Sequence, residues 1–329
     1  MRVNLAVRPS LAKLSVMGPF FIGIDGGGTR TRAVVARSDL APLGRGVSGP
    51  ANAATRPLPG VVESVQEAAS DALLAASLRD VPPETVVVGL AGVDSITDRQ
   101  PLVRALEAVF GMGRVLLTSD AQIALAGAAA DGVDTPAVVL IAGTGAIAFG
   151  QGPGGVVARA GGFGSLLSDE GGGYAIARQG LVAVVREIDG RGPPTDIRER
   201  LFTTGGVSSL TELLERVYRS EGGAADIAAY FPVVLAAARA GDAEARRILE
   251  EAGRELALDV VTVVRKLGLE GASFTVATIG GVFAAGDLLL APLVAAIHRV
   301  APQARIGPPA YPPEVGAIRL ALAAARKSS

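Results

Sequence analysis

The sequence predicts an α/β protein of two lobes facing each other across a cleft. Three observations point there. A run of three strands with glycines at its first bend occurs twice, each run leads into helical and buried-strand patterns, and 329 residues exceed a comfortable single core.

The elements follow in order. Residues 20–25, 31–37 and 43–47 are apolar or alternating runs separated by a glycine cluster and a turn, which reads as a β-meander. Residues 61–78 show helical spacing, 85–91 a buried strand, 99–110 a helix, 114–119 a second buried strand and 121–130 a helix, so the order is βββαβα. Asp131-Gly-Val-Asp-Thr-Pro136 is a turn-rich hinge. After it, 137–142, 146–150 and 156–159 again read as three strands. Helices are expected at about 174–188, 196–202, 208–219, 226–240 and 243–267, then a strand at 273–278, a helix at 287–298 and a last helix at 314–326. The expected domains are 17–131, completed by the C-terminal helix at 314–329, and 132–313 with its inserted helices; residues 1–16 form an extension. Apolar residues make up 49%, mostly Ala and Val, with 4% aromatic and no Trp. Thin, closely packed helix–sheet layers are the expectation.

Composition narrows function. Lys and Arg number 31 against 32 Asp and Glu, with no long like-charge run, so neither a nucleic-acid nor a membrane partner is expected. Zero Cys removes disulfides, iron–sulfur clusters and Cys-based zinc sites, and is compatible with a reducing, cytoplasmic location. His298 is the one histidine, in a helical stretch with no Gly-x-Ser-x-Gly nearby; a satisfied helix-end residue is the better reading than a hydrolase triad. The first sixteen residues are basic but lack a continuous apolar core and cleavage site, so a signal peptide is not expected, and Met17 is an alternative start. The most apolar helix candidate, 284–297, is interrupted by Asp287 and Pro292 and too short to span a bilayer, so a soluble protein is expected.

Two glycine clusters carry the chemistry. Gly23-Ile-Asp-Gly-Gly-Gly-Thr-Arg30 joins two strands in a tight bend where backbone N–H groups can approach a phosphate, with Asp25 placing a carboxylate beside it. A plain hairpin turn is the alternative. Leu140-Ile-Ala-Gly-Thr-Gly-Ala-Ile-Ala148 contains Gly-x-Gly, but a strand follows where a dinucleotide fold would open a helix, and no Gly-x-x-x-x-Gly-Lys-Ser/Thr loop occurs anywhere. Asp120 stands at a strand end before a helix, where a short acid is also an ordinary N-cap. Asp169 precedes a helix, where acids are also favoured.

Together the two hairpins resemble the phosphate-1 and phosphate-2 motifs of the actin, hexokinase and heat-shock chaperone superfamily. Thr278-Ile-Gly-Gly-Val-Phe283 resembles its adenosine motif. Within it, the chain from about 20 to 327 resembles the N-acetylglucosamine kinase group, including the BadF/BadG/BcrA/BcrD-type ATPases. Gly49-Pro-Ala-Asn-Ala53, Leu117-Thr-Ser-Asp-Ala121, Gly161-Gly-Phe-Gly164 with Ser168-Asp-Glu-Gly171, and Asp226-Ile-Ala-Ala-Tyr230 carry that likeness. Phe163 stands where such kinases often have Trp, which bears on substrate identity more than on reaction class.

The resemblance implies a two-lobed actin-like ATPase fold of ribonuclease H-like, duplicated βββαβα units, and a kinase that uses ATP and Mg2+ to phosphorylate the 6-hydroxyl of N-acetylglucosamine. Glucosamine, another hexose, or a regulatory ATPase activity are the alternatives. It implies that Asp120 is the base, that Asn52, Asp120, Gly162, Phe163 and Asp169 hold the sugar, and that Asp25 holds magnesium through water. Gly26, Gly27, Gly28, Thr29, Arg30, Gly143, Thr144 and Gly145 would cradle phosphates; Ala228, Gly280 and Gly281 would line the nucleoside. It leaves a homodimer open. Zero Cys excludes the family's dehydratase activators and the zinc-bearing repressors, and too little chain follows the second lobe for a chaperone's peptide-binding domain.

Overall fold

The computed structural model describes residues 18–203, 206–219 and 222–327. The 1–16 extension and the choice between Met1 and Met17 lie outside them. The chain divides into two units, one reaching to Val133 and resuming at Pro309, the other spanning Asp134–Pro308.

In the first unit β1 (Phe21–Gly26), β2 (Thr31–Ala36) and β3 (Pro42–Ser48) form an antiparallel meander, and β4 (Thr85–Leu90) and β5 (Val115–Ser119) extend it in parallel, giving β3-β2-β1-β4-β5. The two-residue strand period decides which helices cover which face. Ile22 and Ile24 of β1 point to one side, into a core with α1 (Leu58–Ala75) and α2 (Gln100–Phe110). Phe21 points to the other, against α3 (Asp120–Ala128) and the C-terminal helix α11 (Pro313–Lys327).

Small residues set the layer thickness. A Cβ on Gly23 would lie 1.9 Å from the Glu314 carbonyl oxygen, and one on Gly316 2.0 Å from that of Ile123, so α11 rests directly on β1 and on α3. Arg319 of α11 ties down the far end of α3, its Nη1 donating to the Ala126 carbonyl at 2.8 Å and its Nη2 to that of Ala130 at 3.1 Å.

The second unit repeats the plan. β6 (Ala137–Ala142), β7 (Ala146–Gln151) and β8 (Val157–Gly161) form the meander, with β9 (Thr275–Ile279) and β10 (Arg305–Gly307) parallel on the other side of β6. Read from the meander edge, β8-β7-β6-β9-β10 matches β3-β2-β1-β4-β5 strand for strand. Between β8 and β9 come α4 (Gly173–Ile188), α5 (Asp196–Thr203), α6 (Leu210–Tyr218), α7 (Ala224–Ala228), α8 (Phe231–Ala240) and the long α9 (Ala243–Leu267), and α10 (Asp287–His298) follows β9. Asp242 caps α9 by accepting from the Ala245 amide at 2.7 Å, and Gly268 ends it at φ 64°. His298 closes α10 with Nε2 3.0 Å from the Ala304 carbonyl, a satisfied helix-end residue.

Four expectations change. The strand at 114–119 is an edge strand, with Leu116 43% exposed and only Ser119 buried, rather than a buried one. The helix at 226–240 is two helices: Pro232 cannot continue one, and it sits instead at the start of α8. β10 is an additional strand, three residues long and too short to show alternation. α10 runs through Pro292, so the proline does not interrupt it. Among the described residues no single helix is long and apolar enough to cross a membrane.

Candidate active site

In the first unit the candidate residues gather at the carboxyl ends of β1, β4 and β5, the edge where parallel α/β sheets bind ligands. Backbone bonds tie the loops together: Ala51 N donates to Gly27 O at 2.9 Å, Ala91 N to Gly26 O at 2.8 Å and Ala53 N to Ala91 O at 2.9 Å. The buried Thr31 hydroxyl adds a bond to Gly49 O at 2.8 Å. Asn52 thereby lies beside the hairpin; its Oδ1 accepts from the Ala54 amide at 2.9 Å. Gly28, Thr29 and Arg30 are exposed at the hairpin tip, held tight by Gly27 N donating to Arg30 O at 3.0 Å.

Asp25 lies opposite Arg32 in the β1–β2 register, with the guanidinium 3.5 Å from its Oδ2. Its side chain is 16% exposed. Burial, then the neighbouring Asp120 and Glu314 carboxylates, push its pKa up to about 7 against the opposing pull of Arg32. Asp120 is the first residue of α3, and burial, with Asp94 adding to it, raises its carboxyl as well. The cap of α3 is Ser119, whose hydroxyl accepts from the Gln122 amide at 3.3 Å. That corrects the N-cap alternative for Asp120, whose Oδ1 accepts from the next amide, Ala121 N, at 2.9 Å.

In the second unit the Gly143-Thr144-Gly145 bend packs under the start of α4. Gly173 N donates to Gly143 O at 2.7 Å and Tyr174 N to Thr144 O at 2.9 Å. Asp169 sits against this bend, where a Cβ on Gly145 would come 2.2 Å from its Oδ2. It is buried at φ 68°, a left-handed conformation costly for a non-glycine residue. The helix itself starts later, at Gly173 with Gly172 as cap, so Asp169 is not a helix-start acid. Burial raises its pKa while the Ala146, Gly164 and Gly162 amides oppose the shift, and its Oδ1 has no hydrogen-bond partner.

Ala228 ends α7 and its Cβ would lie 3.7 Å from one on Gly173. Gly280, at φ 125°, brings its backbone so near β6 that a Cβ would sit 2.1 Å from the Ala142 carbonyl. Phe163 is 66% exposed, with the Arg159 guanidinium 4.4 Å from its ring centre, and Arg159 Nη2 donates to Gly162 O at 2.9 Å. Reading the sequence missed Asp259 of α9, which lies against Gly161 and whose pKa rises to about 6 through burial and then Glu170, Glu255 and Asp169. Its only sequence signal is an acid on the buried side of an amphipathic helix.

Each unit leaves main chain open to a ligand: a Cβ at Gly28 in the first, and at Gly143 or Gly281 in the second, would meet nothing within 4 Å, so phosphate or ribose can approach the backbone there. Asp25, a little-exposed carboxylate beside the hairpin, is the donor a hydrated magnesium ion would use here, since that ion is held by one or two carboxylates with phosphates and water.

Two sheets of one strand order, each with a glycine-bent hairpin at the carboxyl edge of its central strand, make this an actin-like ATPase fold. The model of the BadF/BadG/BcrA/BcrD ATPase family matches residues 22–321, and the chain belongs to that family. It is 33% identical over 266 residues to an N-acetylmuramic acid/N-acetylglucosamine kinase of Clostridium acetobutylicum, covering 80% of this chain and 85% of the relative. It is 29% identical over 316 residues to an N-acetyl-D-glucosamine kinase of Dictyostelium discoideum, covering 92% and 97%. A crystal structure assigned as an N-acetylglucosamine kinase of Chromobacterium violaceum superposes with a TM-score of 0.74 at 25% identity, covering 92% of this chain and 98% of the other.

Proposed function

We propose that the chain is an ATP-dependent kinase that phosphorylates the 6-hydroxyl of N-acetylglucosamine. The observation that carries this reading is the pair of carboxylates at one sheet edge, Asp25 beside a phosphate-type hairpin and Asp120 at the head of α3, each raised in pKa by burial. A base poised towards neutrality and a carboxylate for a cation are what phosphoryl transfer to an alcohol requires. ATP supplies the phosphoryl group, and Mg2+ neutralises its charge when bound.

In the first unit, Asp120 accepts the hydroxyl proton, Asp25 holds the hydrated cation, and Gly26, Gly27, Gly28, Thr29 and Arg30 bind phosphate. Asn52 keeps Oδ1 on Ala54, which leaves its amide N–H groups for a sugar hydroxyl. In the second, Gly143, Thr144 and Gly145 bind phosphate, while Ala228, Gly280 and Gly281 line the nucleoside. Gly162, Phe163 and Asp169 contact the sugar. With Arg159 on one face of its ring, Phe163 has the other for the apolar face of a pyranose.

Phe163→Ala is expected to weaken sugar binding by roughly 1–3 kcal/mol, the scale of one such buried side chain. Nucleotide affinity should be nearly intact, and the fold barely affected because the ring is already exposed. Calorimetry with each ligand separates these; a weakened nucleotide site would place the loop elsewhere.

The name of the Clostridium relative favours N-acetylmuramic acid as a second acceptor. Coupled ADP release with N-acetylglucosamine, N-acetylmuramic acid, glucosamine and glucose tests the reading. N-acetylglucosamine should raise ADP release far above the sugar-free rate and glucosamine should not. Equal release with and without every sugar would point to a regulatory ATPase instead.

A further inference from the structure

We propose that Glu314 is a positioning residue for the divalent cation at Asp25, accepting a hydrogen bond from the cation's bound water. This rests on the reading of Asp25 as the cation's carboxylate.

Gly23, Val34 and Arg45 stand in one row across β1, β2 and β3. Because Gly23 has no side chain, the first turn of α11 fills the gap above it and sets the Glu314 carbonyl there. Gly23 and Asp25 are two residues apart and so share a face, roughly 7 Å along the strand. The Glu314 side chain is thus delivered beside Asp25, whose carboxyl feels its charge.

Glu314 is only half satisfied. Its Oε1 accepts from Arg45 Nη1 at 2.8 Å, but Oε2 is buried with no partner in a side chain that is 5% exposed. A buried carboxylate oxygen without a donor is costly, and a half-exposed arginine offsets little of that. Structural duty alone would be served better by glutamine or an apolar residue.

The missing partner has to be a hydrogen-bond donor, and a positive one suits the nearby charge of Asp25, which Arg32 at 3.5 Å only partly offsets. A hydrated cation supplies both properties. Magnesium sheds its water reluctantly, so its shell presents donors to carboxylates that never touch the metal. Such outer partners are worth about 10–100-fold in metal affinity.

The test uses the full chain with ADP and Mn2+ as the probe, free Mn2+ being read by electron paramagnetic resonance. Glu314→Gln should weaken Mn2+ binding by about tenfold, with metal-free ADP affinity unchanged and the melting temperature equal or higher. A change within about twofold overturns the inference. Arg45→Gln separates the ion pair from the water contact and covers the case in which Glu314→Gln does not fold. It should tighten Mn2+ binding, because the guanidinium on Oε1 no longer offsets the carboxylate charge that Oε2 presents to the cation's water; weaker or unchanged binding overturns the inference. Asp25→Asn is the control. If it leaves Mn2+ binding unchanged, the cation assignment falls and this inference with it. If it weakens binding while Glu314→Gln does not, the inference alone falls.

Discussion

Asp120→Asn is expected to cut turnover by roughly 10²–10⁴-fold, the range for loss of a general base. The substitution isolates chemistry from folding because Ser119, not Asp120, caps α3. The bonds Asp120 accepts from the main chain, from the Ala121 amide at 2.9 Å and from its own amide, can be kept by an asparagine carbonyl oxygen. The melting temperature should therefore stay near that of the wild type, or rise slightly, since a half-buried carboxyl beside Asp94 is replaced by a neutral group. Sugar affinity should fall only modestly. Single-turnover phosphorylation at saturating ATP and sugar reads the chemical step apart from binding and release. A variant keeping more than about a tenth of the wild-type rate would make Asp120 a structural residue.

Asp25→Asn is expected to stabilise the metal-free, nucleotide-free protein at about pH 8 while abolishing its cation binding. The folded protein holds the Asp25 proton up to about pH 7, whereas the ordinary value is 3.8. Between those values the folded state binds more protons than the unfolded one, so this group's contribution is fully present below about pH 4 and is lost as pH rises through about 7. Three units of pKa amount to something on the order of 4 kcal/mol at a buried site. Asparagine is neutral throughout and escapes the loss. Thermal melts of both proteins in chelator should coincide near about pH 4 and separate progressively up to about pH 8, the variant melting higher. Parallel curves with no pH-dependent gap would mean that Asp25 is ionised without strain in the free protein. Asp120, Asp169 and Asp259 shift in the same direction, so the difference between the two proteins, not the wild-type slope, is the quantity to read.

What was legible in the sequence was local. The glycine bends at 26–28 and 143–145 announce their hairpins between near-continuous apolar runs, but none of those glycines has positive φ; Gly26 and Gly145 are instead required by the close approach of Leu90 and Asp169. The pairing of Arg32 with Asp25 was countable: a bend of four residues, 27–30, puts them opposite each other, but the charge pair went unread. The cap of α3 falls on Ser119, one residue before the Asp120 that the alternative reading would have used. Other features were hidden by distance. Glu314 looks like any acid in the first turn of a helix, and its bond to Arg45 spans 269 residues. β10 owes its existence to β9, not to its own three residues. The sugar is the least legible part, since Phe163 offers a ring face without the N–H donor that tryptophan would add.

Transfer of phosphate to a sugar 6-hydroxyl is read by phosphorus NMR of one incubation with ATP, Mg2+ and N-acetylglucosamine. A phosphate monoester whose phosphorus couples to the two C6 protons is expected, formed in step with ADP and suppressed in Asp120→Asn. Inorganic phosphate as the sole product, or an ester coupled to the C1 proton, would contradict it.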